Sequence, residues 1–439
     1  MQKTYETYKD SGIEWIGVVP SHWEVFPMKY KVNLYNGNSI KDDEKPLYED
    51  DSDAIPYIAT KDVNVDNHSI DYENGMYVKN IDHSFVRAPK GSSLMCIEGG
   101  SAGRKIGFTN QDVAFINKLC CFTTKDISIL DNLYLYYYLQ SSTFKNKFTS
   151  HLSGLIGGVS ISEMKNFEMI CPPLSEQQAI AEYLDKKCSK IDSLVAEFEQ
   201  QVTDLGTMKK AEISRVVTKG LNPDAPLKDS GFEWMGEVPS HWEISKIKFE
   251  AQTSSGSTPR TIAGKEKGSI IWVRTTDLND NIVIDSSEYL SEDEYKSASC
   301  PWLSKNTLLI SMYGGAGSVG KCGLLGIEAT INQALCALTF KPTHIPKYYF
   351  YLGIAIRPYW MKFAASTRKD PNISQEIIRN TFIPIPSQID QLQIVEYLDT
   401  YCAKVDATVK ELQDQIADLK LYKQSIISEA VTGKIKVID

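Results

Sequence analysis

The sequence has no long run of apolar residues and no cysteine or histidine pattern typical of a metal site. No stretch approaches the roughly 18–20 apolar residues that a membrane-spanning helix needs, and no secretory segment opens the chain. The nine cysteines include no CxxC pair, which indicates reduced thiols in a cytoplasmic protein. The six histidines do not stand at ligand spacing, so we expect no metal site.

A surplus of positive charge is also missing, since the formal net charge is −9. Residues 21–170 hold 15 Lys and Arg against 19 Asp and Glu, and residues 240–383 hold 16 against 13. Neutralisation of phosphates supplies most non-specific affinity for DNA. A chain with this balance would therefore bind a duplex weakly on its own.

Catalytic signatures are incomplete. Residues 315–321 fit the phosphate-loop pattern GxxxxGK, but Cys322 follows instead of the Ser or Thr that binds Mg²⁺. Ser-His pairs at 21–22 and 240–241 lack a nucleophile-elbow pattern, and methyltransferase, helicase and nuclease motifs are absent. We expect a chain that is not an enzyme, and nucleotide binding at Gly315–Lys321 stays open as an alternative.

What the sequence does have is a duplication. KDSGIEWIGVVPSHWEV at 9–25 returns as KDSGFEWMGEVPSHWEI at 228–244. PPLSEQQAIAEYLDKKCSKID at 172–192 returns as PSQIDQLQIVEYLDTYCAKVD at 386–406. The two repeated blocks alternate with unlike stretches, so the chain carries two copies of one module with a shared frame and separate contents.

The second block opens a long helix in each copy. Proline stands just before each start, where a helix tolerates it, and one apolar stripe per helix has nearly heptad spacing. Stripes that match in matching modules predict a helix–helix seam, with antiparallel pairing if a two-fold axis relates the modules; two unrelated amphipathic surface helices are the alternative. The predicted seam is Ile180, Leu184, Ile191, Val195, Phe198, Val202, Leu205, Ile394, Leu398, Val405, Val409, Leu412, Ile416 and Leu419.

The variable halves also align faintly. YIATKD at 57–62 matches WVRTTD at 272–277, a glycine-rich stretch near 99–103 matches one near 314–317, and Ile-Asn recurs at 116–117 and 331–332. Short apolar runs bounded by Gly, Pro, Asn or Asp predict strands, and an aromatic run of helix length follows in each half. We expect each half to be a mixed α/β globule with a small sheet.

The duplicated EWxGxVPSHWE block, the duplicated EYLD helix and the glycine-rich stretch with its following Ile-Asn resemble the specificity subunit of type I DNA restriction–modification systems. The resemblance covers essentially the whole chain. It implies an α+β fold in which two pseudo-repeated target-recognition domains are separated by two long, coiled-coil-like helices. The expected boundaries are 1–20 and 221–239 for the repeated segments, 21–170 and 240–383 for the recognition domains, and 171–220 and 384–439 for the helices.

The resemblance also implies a function. Each recognition domain would recognise one half of a bipartite DNA site, and the helix pair would set the spacer. Two modification subunits would methylate adenine with S-adenosylmethionine, and two motor–nuclease subunits would use ATP and Mg²⁺, while this chain would bind no cofactor. Polar and basic residues on the aligned loops are the candidate DNA contacts: Ser39, Lys41, Lys61, Arg104, Lys105, Asn117, Lys118, Ser160, Thr258, Arg260, Arg274, Thr275, Lys321, Asn332, Gln333 and Ser374. A coiled-coil adaptor without a nucleic-acid role stays open as a second alternative.

Overall fold

The computed structural model describes residues 4–154, 157–259, 268–298, 300–314, 317–364 and 372–437. The chain forms two compact units. The first unit comprises Met1–Glu199 with Gln413–Asp439, and the second comprises Gln200–Leu412. Within the described ranges, no helix is both long and apolar enough to cross a membrane.

The first unit contains two four-stranded sheets, with strand orders β6-β5-β10-β7 and β4-β11-β8-β9. Two antiparallel pairs, β1–β2 and β3–β12, complete it. Its strands are β1 (Tyr8–Asp10), β2 (Val18–Pro20), β3 (Glu24–Pro27), β4 (Val32–Asn36), β5 (Ala54–Ile58), β6 (Tyr77–Lys79), β7 (Arg87–Ala88), β8 (Ser93–Cys96), β9 (Ile106–Phe108), β10 (Val113–Phe115), β11 (Leu119–Thr124) and β12 (Glu168–Cys171). Its helices are α1 (Asn132–Gln140), α2 (Ser142–Ser150), α3 (Ile161–Met164), the first part of α4 (Leu174–Lys219) and the last part of α9 (Gln388–Val431).

The second unit repeats this plan. Its sheets have the orders β16-β23-β20-β21-β18 and β19-β17-β22, so β16, β23, β20 and β21 correspond to β4, β11, β8 and β9. Its strands are β13 (Leu227–Asp229), β14 (Glu237–Pro239), β15 (Glu243–Lys246), β16 (Ala251–Ser255), β17 (Ile270–Val273), β18 (Asn281–Val283), β19 (Tyr289–Leu290), β20 (Leu308–Ser311), β21 (Cys322–Leu325), β22 (Thr330–Ile331), β23 (Leu335–Phe340) and β24 (Phe382–Ile385). Its helices are α5 (Ile247–Glu250), α6 (Glu292–Ala298), α7 (Pro346–Ala364), α8 (Gln375–Asn380), the last part of α4 and the first part of α9.

A parallel strand pair marks the same place in both units. In the first unit β5 pairs with β10, with Tyr57 opposite Ala114. In the second unit β17 pairs with β22, with Trp272 opposite Thr330. Parallel neighbouring strands require a long crossover connection. The pairing therefore brings together, at one edge of each unit, loops that are far apart in the sequence.

The long helices begin after proline and end before glycine, as their sequences predict. Helix α4 follows Pro173, and Gly220 after its end has a left-handed φ of 73°. Helix α9 is followed by Gly433, whose φ is 72°. Glycine adopts this conformation without the steric penalty of a side chain, which makes it a common helix terminator.

The two helices pair antiparallel within each unit. In the first unit Lys423 Nζ lies 2.6 Å from Asp192 Oδ2, and in the second Lys209 Nζ lies 2.6 Å from Asp406 Oδ1. Both members of one ion pair lie 214 positions from their counterparts in the other. The same contact therefore recurs in both units, and the prediction of an α+β fold with two packed long helices is confirmed.

The apolar core of each unit includes both a helix start and a helix end. In the first unit, Leu184 of α4 and Val431 of α9 are buried with Trp23 and Tyr134. In the second, Leu398 of α9 and Val217 of α4 are buried in a cluster that includes Trp242, Tyr348 and Trp360. The aromatic runs of the variable halves are thus core residues, and their burial fixes each globule onto the helices.

Candidate functional site

Five loops of the first unit meet beside the parallel strands β5 and β10. We call residues 36–41, 59–62, 97–105, 116–118 and 159–160 loop cluster 1. Four amide-to-carbonyl hydrogen bonds join these loops to each other and to the strand ends: Asn38 to Phe115 at 2.9 Å, Ile116 to Ile58 at 2.9 Å, Ile97 to Lys118 at 3.0 Å, and Val159 to Ile97 at 3.1 Å. The loops therefore form one surface.

The second unit builds the same surface from the equivalent bonds. Loop cluster 2 comprises residues 255–259, 274–277, 312–314 with 317–321, 332–334 and 372–374. Its amide-to-carbonyl bonds are Ser257 to Ile331 at 3.2 Å, Asn332 to Val273 at 3.1 Å, Met312 to Ala334 at 2.8 Å, and Ile373 to Met312 at 2.9 Å. The backbone framework is repeated, while the side chains mounted on it differ.

An aromatic side chain holds the first loop of each cluster. Tyr57 donates its hydroxyl to the carbonyl oxygen of Asn38 at 2.7 Å. Trp272, at the aligned position, donates its indole N–H to the carbonyl oxygen of Ser257 at 3.3 Å. The sequence alignment pairs these two aromatics, but their shared role requires the fold.

A carboxylate closes the second loop of each cluster. The amide of Ala59 donates to Asp62 Oδ2 at 2.8 Å, and the amide of Arg274 donates to Asp277 Oδ2 at 2.8 Å. Burial raises the pKa of Asp62, while the Ala59 amide and the Asn74 side chain oppose that shift. Both carboxylates therefore hold the backbone of their loops through hydrogen bonds and are not free to bind a ligand.

A glycine allows the first loop to touch the sheet in both clusters. A Cβ on Gly37 would lie 1.7 Å from the carbonyl oxygen of Phe115, and one on Gly256 would lie 1.8 Å from that of Ile331. No side chain fits at either position. These glycines, like the two aromatics and the two carboxylates, were not among the predicted site residues.

Loop cluster 1 contains all eight candidates from the first half. Ser39, Lys41, Lys61, Arg104, Asn117, Lys118 and Ser160 are exposed, and Lys105 is half-buried. Lys41 Nζ lies 3.4 Å from Glu44 Oε1, and Lys105 Nζ donates to the carbonyl oxygen of Thr60 at 2.7 Å. In the part of the chain that the structure describes, neither Arg104 nor Lys118 has an acidic partner. The cluster thus presents exposed cations and an exposed amide side by side.

Loop cluster 2 contains seven of the eight candidates from the second half, and Arg260 lies outside the described residues. Thr258 and Gln333 are exposed and hydrogen-bonded to each other, and Thr275 is half-buried. Arg274 donates to Ser287 Oγ at 3.0 Å and lies 3.4 Å from Glu288. Lys321 donates to Asn279 Oδ1 at 3.2 Å, and Asn332 Oδ1 accepts from the Ala334 amide at 3.1 Å.

Two candidates are occupied as helix caps. The hydroxyl of Ser160 accepts from the Glu163 amide and begins α3, and that of Ser374 accepts from the Ile377 amide and begins α8. An N-cap satisfies an otherwise unpaired helix amide. These serines position the loops, which gives them a structural reason to recur.

The fourteen seam candidates divide into two groups. Ile180, Leu184, Ile191, Val195, Ile394, Leu398 and Val405 are buried, whereas Phe198, Val202, Leu205, Val409, Leu412, Ile416 and Leu419 are half-buried. Ile180 and Leu184 belong to the globular core of the first unit, and Ile394 and Leu398 to that of the second. The stripe therefore packs on the globules near the helix starts as well as on the partner helix.

Comparison with known proteins agrees with this architecture. The family model described as "Type I restriction modification DNA specificity domain" matches residues 20–203 and 239–418. The chain belongs to this family. Similar curated proteins include the type I restriction enzyme EcoKI specificity subunit of Escherichia coli K12, 24% identical over 95% of this chain and 90% of that protein. The MjaVIII specificity subunit of Methanocaldococcus jannaschii is 24% identical over 95% and 94%.

Solved structures of similar chains share the fold. A chain from a study of complex assembly and conformational transition of the type I R-M system has a TM-score of 0.71 at 15% identity, covering 94% of this chain and 98% of that one. The HsdS subunit from Thermoanaerobacter tengcongensis has a TM-score of 0.51 at 16% identity, covering 95% and 98%. The family membership favours neither an adaptor without a nucleic-acid role nor a nucleotide-binding enzyme. Gly315 and Ala316 of the imperfect phosphate loop lie outside the described residues, and Cys322 after it is buried in β21.

Proposed function

We propose that the chain is the DNA sequence-specificity subunit of a type I restriction–modification complex. Loop cluster 1 recognises one half of a bipartite site in the major groove, and loop cluster 2 recognises the other. The observation that carries this proposal is the repeated backbone framework with different side chains. A fixed scaffold with variable contents is what two recognition surfaces of one kind require, since specificity is a property of the side chains that reach base edges.

The side chains of the two clusters suit this role. Arg104 and Lys118 are exposed cations without acidic partners among the described residues, and such groups bind phosphates or guanine. Asn117 and Gln333 are exposed amides, and asparagine or glutamine pairs with adenine through two hydrogen bonds. Arg274 is held by Ser287 and Glu288, so it contacts DNA only after exchanging those partners.

The proposal includes partner subunits. Two modification subunits methylate adenine with S-adenosylmethionine, and two motor–nuclease subunits cleave with ATP and Mg²⁺, while this chain contributes no chemistry. In this proposal the recognition domains span residues 21–170 and 240–383, as expected from the sequence. The chain has a net charge of −9, which supports the proposal that partner subunits supply much of the complex's affinity for DNA phosphates.

The half-site assignment can be tested with alanine variants in a complex with the modification subunit. Asn117→Ala with Lys118→Ala should relax or abolish recognition of one half-site, and Gln333→Ala should affect the other. Sequencing of methylated motifs in genomic DNA gives the readout, with exposed Lys186→Ala on α4 as the control. Changes in both half-sites from either variant would contradict the assignment.

The helix pair is proposed to set the spacer between half-sites, because α4 and α9 each contribute to both units. Four residues inserted near Leu205 add about 6 Å of helix, or one to two base pairs of roughly 3.4 Å. They rotate the apolar stripe by only about 40°, whereas a two-residue insertion rotates it by about 200° and should abolish assembly. An active four-residue variant with an unchanged spacer would contradict the proposal.

A further inference from the structure

A buried carboxylate anchors the repeated segment of the first unit. Glu176 Oε2 accepts hydrogen bonds from the Tyr5 hydroxyl and the Trp23 indole N–H, both at 3.0 Å. The ring nitrogen Nε2 of His22 lies 2.6 Å from Glu176 Oε1. Tyr5 also packs edge-on against Trp23, with 5.5 Å between ring centroids. We call the site formed by His22, Trp23 and Glu176 the socket of the first unit. The phenol of Tyr5 fills this socket and donates one of the hydrogen bonds that the Glu176 carboxylate accepts.

The second unit has the same socket without the phenol. Trp242 is only 2% exposed, yet its indole N–H has no hydrogen-bond partner in the described part of the chain. The counterpart of Glu176 is Asp390, one methylene shorter, and it lies 3.5 Å from His241 Nε2. A cavity of about 290 Å³ adjoins these groups and is lined by Gly220, Pro239 and Ile394 as well.

The backbone of the two sockets has the same register. Ser21 donates its amide to the carbonyl oxygen of Thr7 at 3.1 Å, and Ser240 donates to that of Pro226 at 2.7 Å. Two residues upstream of Thr7 and Pro226 stand Tyr5 and Asp224, respectively. Position 224 is an aspartate, and it is exposed. The second copy therefore has no aromatic ring at the position where the first copy has Tyr5.

We propose that the cavity beside Trp242 is a binding site for a tyrosine side chain supplied by a partner chain. A phenol hydroxyl can donate to Asp390, as the Tyr5 hydroxyl donates to Glu176 in the first unit, while its ring packs on Trp242, Pro239 and Ile394. Tyrosine is the occupant because the first unit places a tyrosine of this chain against the equivalent tryptophan and carboxylate.

The chemistry of the site is tested on the full-length chain without any partner. The chain has seven tryptophans, so 5-fluorotryptophan labelling gives resolvable ¹⁹F signals, and loss of one in Trp242→Phe assigns that residue. We expect p-cresol, the tyrosine side-chain analogue, to shift the Trp242 signal saturably. Toluene, which lacks the hydroxyl, should bind at least about tenfold more weakly. Equal binding of the two probes, or no saturable shift, would overturn the site.

A second variant fills the cavity from within the chain. Asp224→Tyr should raise the melting temperature and abolish the p-cresol shift, whereas Glu237→Tyr, at an exposed position of the same segment, should do neither. An Asp224→Tyr protein that is no more stable than Glu237→Tyr and still binds p-cresol would contradict the proposal.

The source of the tyrosine is tested in the complex with the modification subunit, and this step alone rests on the proposed function. Complex formation should move the Trp242 signal to its p-cresol-bound position and make it insensitive to p-cresol. A cavity that stays open to p-cresol in an assembled complex would overturn the assignment to that partner. Concentration-dependent self-association that Asp224→Tyr abolishes would assign the occupant to a second copy and overturn it equally.

Discussion

Replacement of Gly37 by alanine should damage loop cluster 1 and spare loop cluster 2. The new Cβ would lie 1.7 Å from the Phe115 carbonyl oxygen, whereas Cβ contacts closer than 3.0 Å are essentially never observed. The loop must therefore move by about 1.3 Å, the difference between these two distances. That movement breaks the 2.9 Å bond from the Asn38 amide to the same carbonyl, since hydrogen bonds weaken steeply beyond about 3.2 Å.

The cost follows from two effects. Overpacking costs about 1–3 kcal/mol, and a carbonyl left without its partner adds to this. We expect the first unit to lose about 2–4 kcal/mol, which lowers its melting temperature by roughly 4–16 °C for a unit of this size. Calorimetry measures the shift, and methylated-motif sequencing in the complex should show degraded recognition of one half-site.

Two other glycines provide controls. Gly256→Ala creates the equivalent clash in the second unit and should degrade the opposite half-site. Gly206 lies inside α4 with open space around its Cβ position, so Gly206→Ala should stabilise the helix by about 0.5–1 kcal/mol. If Gly37→Ala melted with the wild type and left the methylated motif unchanged, the argument for a sterically fixed loop would be refuted.

Three further results are expected. Asp192→Lys should destabilise the first unit by about 1–2 kcal/mol because it places a cation against Lys423. The double variant with Lys423→Asp should recover most of that stability, as measured by thermal unfolding. No recovery would contradict a direct ion pair. Burial, aided by the charges of Lys145 and Lys423, lowers the pKa of His68 to about 3. The unfolded chain therefore takes up a proton near pH 6.5 that the folded chain does not. The free energy of unfolding should fall as the pH drops below 6.5, by up to about 2 kcal/mol at pH 5. His68→Gln should flatten this dependence in acid titration while exposed His83→Gln should not, and equal slopes would refute it. Native mass measurement of a co-expressed complex should give two modification subunits per chain, and a stable one-to-one assembly would contradict the proposed pair of modification subunits.

The repeats and the helices could be predicted from the sequence because their signals are local. Proline before Leu174 and glycine after Lys219 mark the ends of α4, and the apolar stripe follows from its spacing. The surface on which that stripe packs could not be predicted. Ile180 and Leu184 belong to the first globular core, since the period of a helix does not reveal whether a neighbouring helix or a globule covers it.

The candidate site was predicted as a set of loops but not as a framework. The alignment pairs Tyr57 with Trp272, yet their bonds to Asn38 and Ser257 depend on the parallel pairing of β5 and of β17. Such pairings join strands far apart in sequence, and no local pattern encodes them. The capping roles of Ser160 and Ser374 likewise emerge only once α3 and α8 are located.

The central claim is that each unit recognises its own half of the DNA site. Its most direct test replaces residues 21–170 with the corresponding region of another family member and maps methylated motifs by sequencing the DNA of cells that express the complex. We predict a new sequence in one half-site, with the other half-site and the spacer unchanged. A change in both half-sites, or in neither, would contradict the claim.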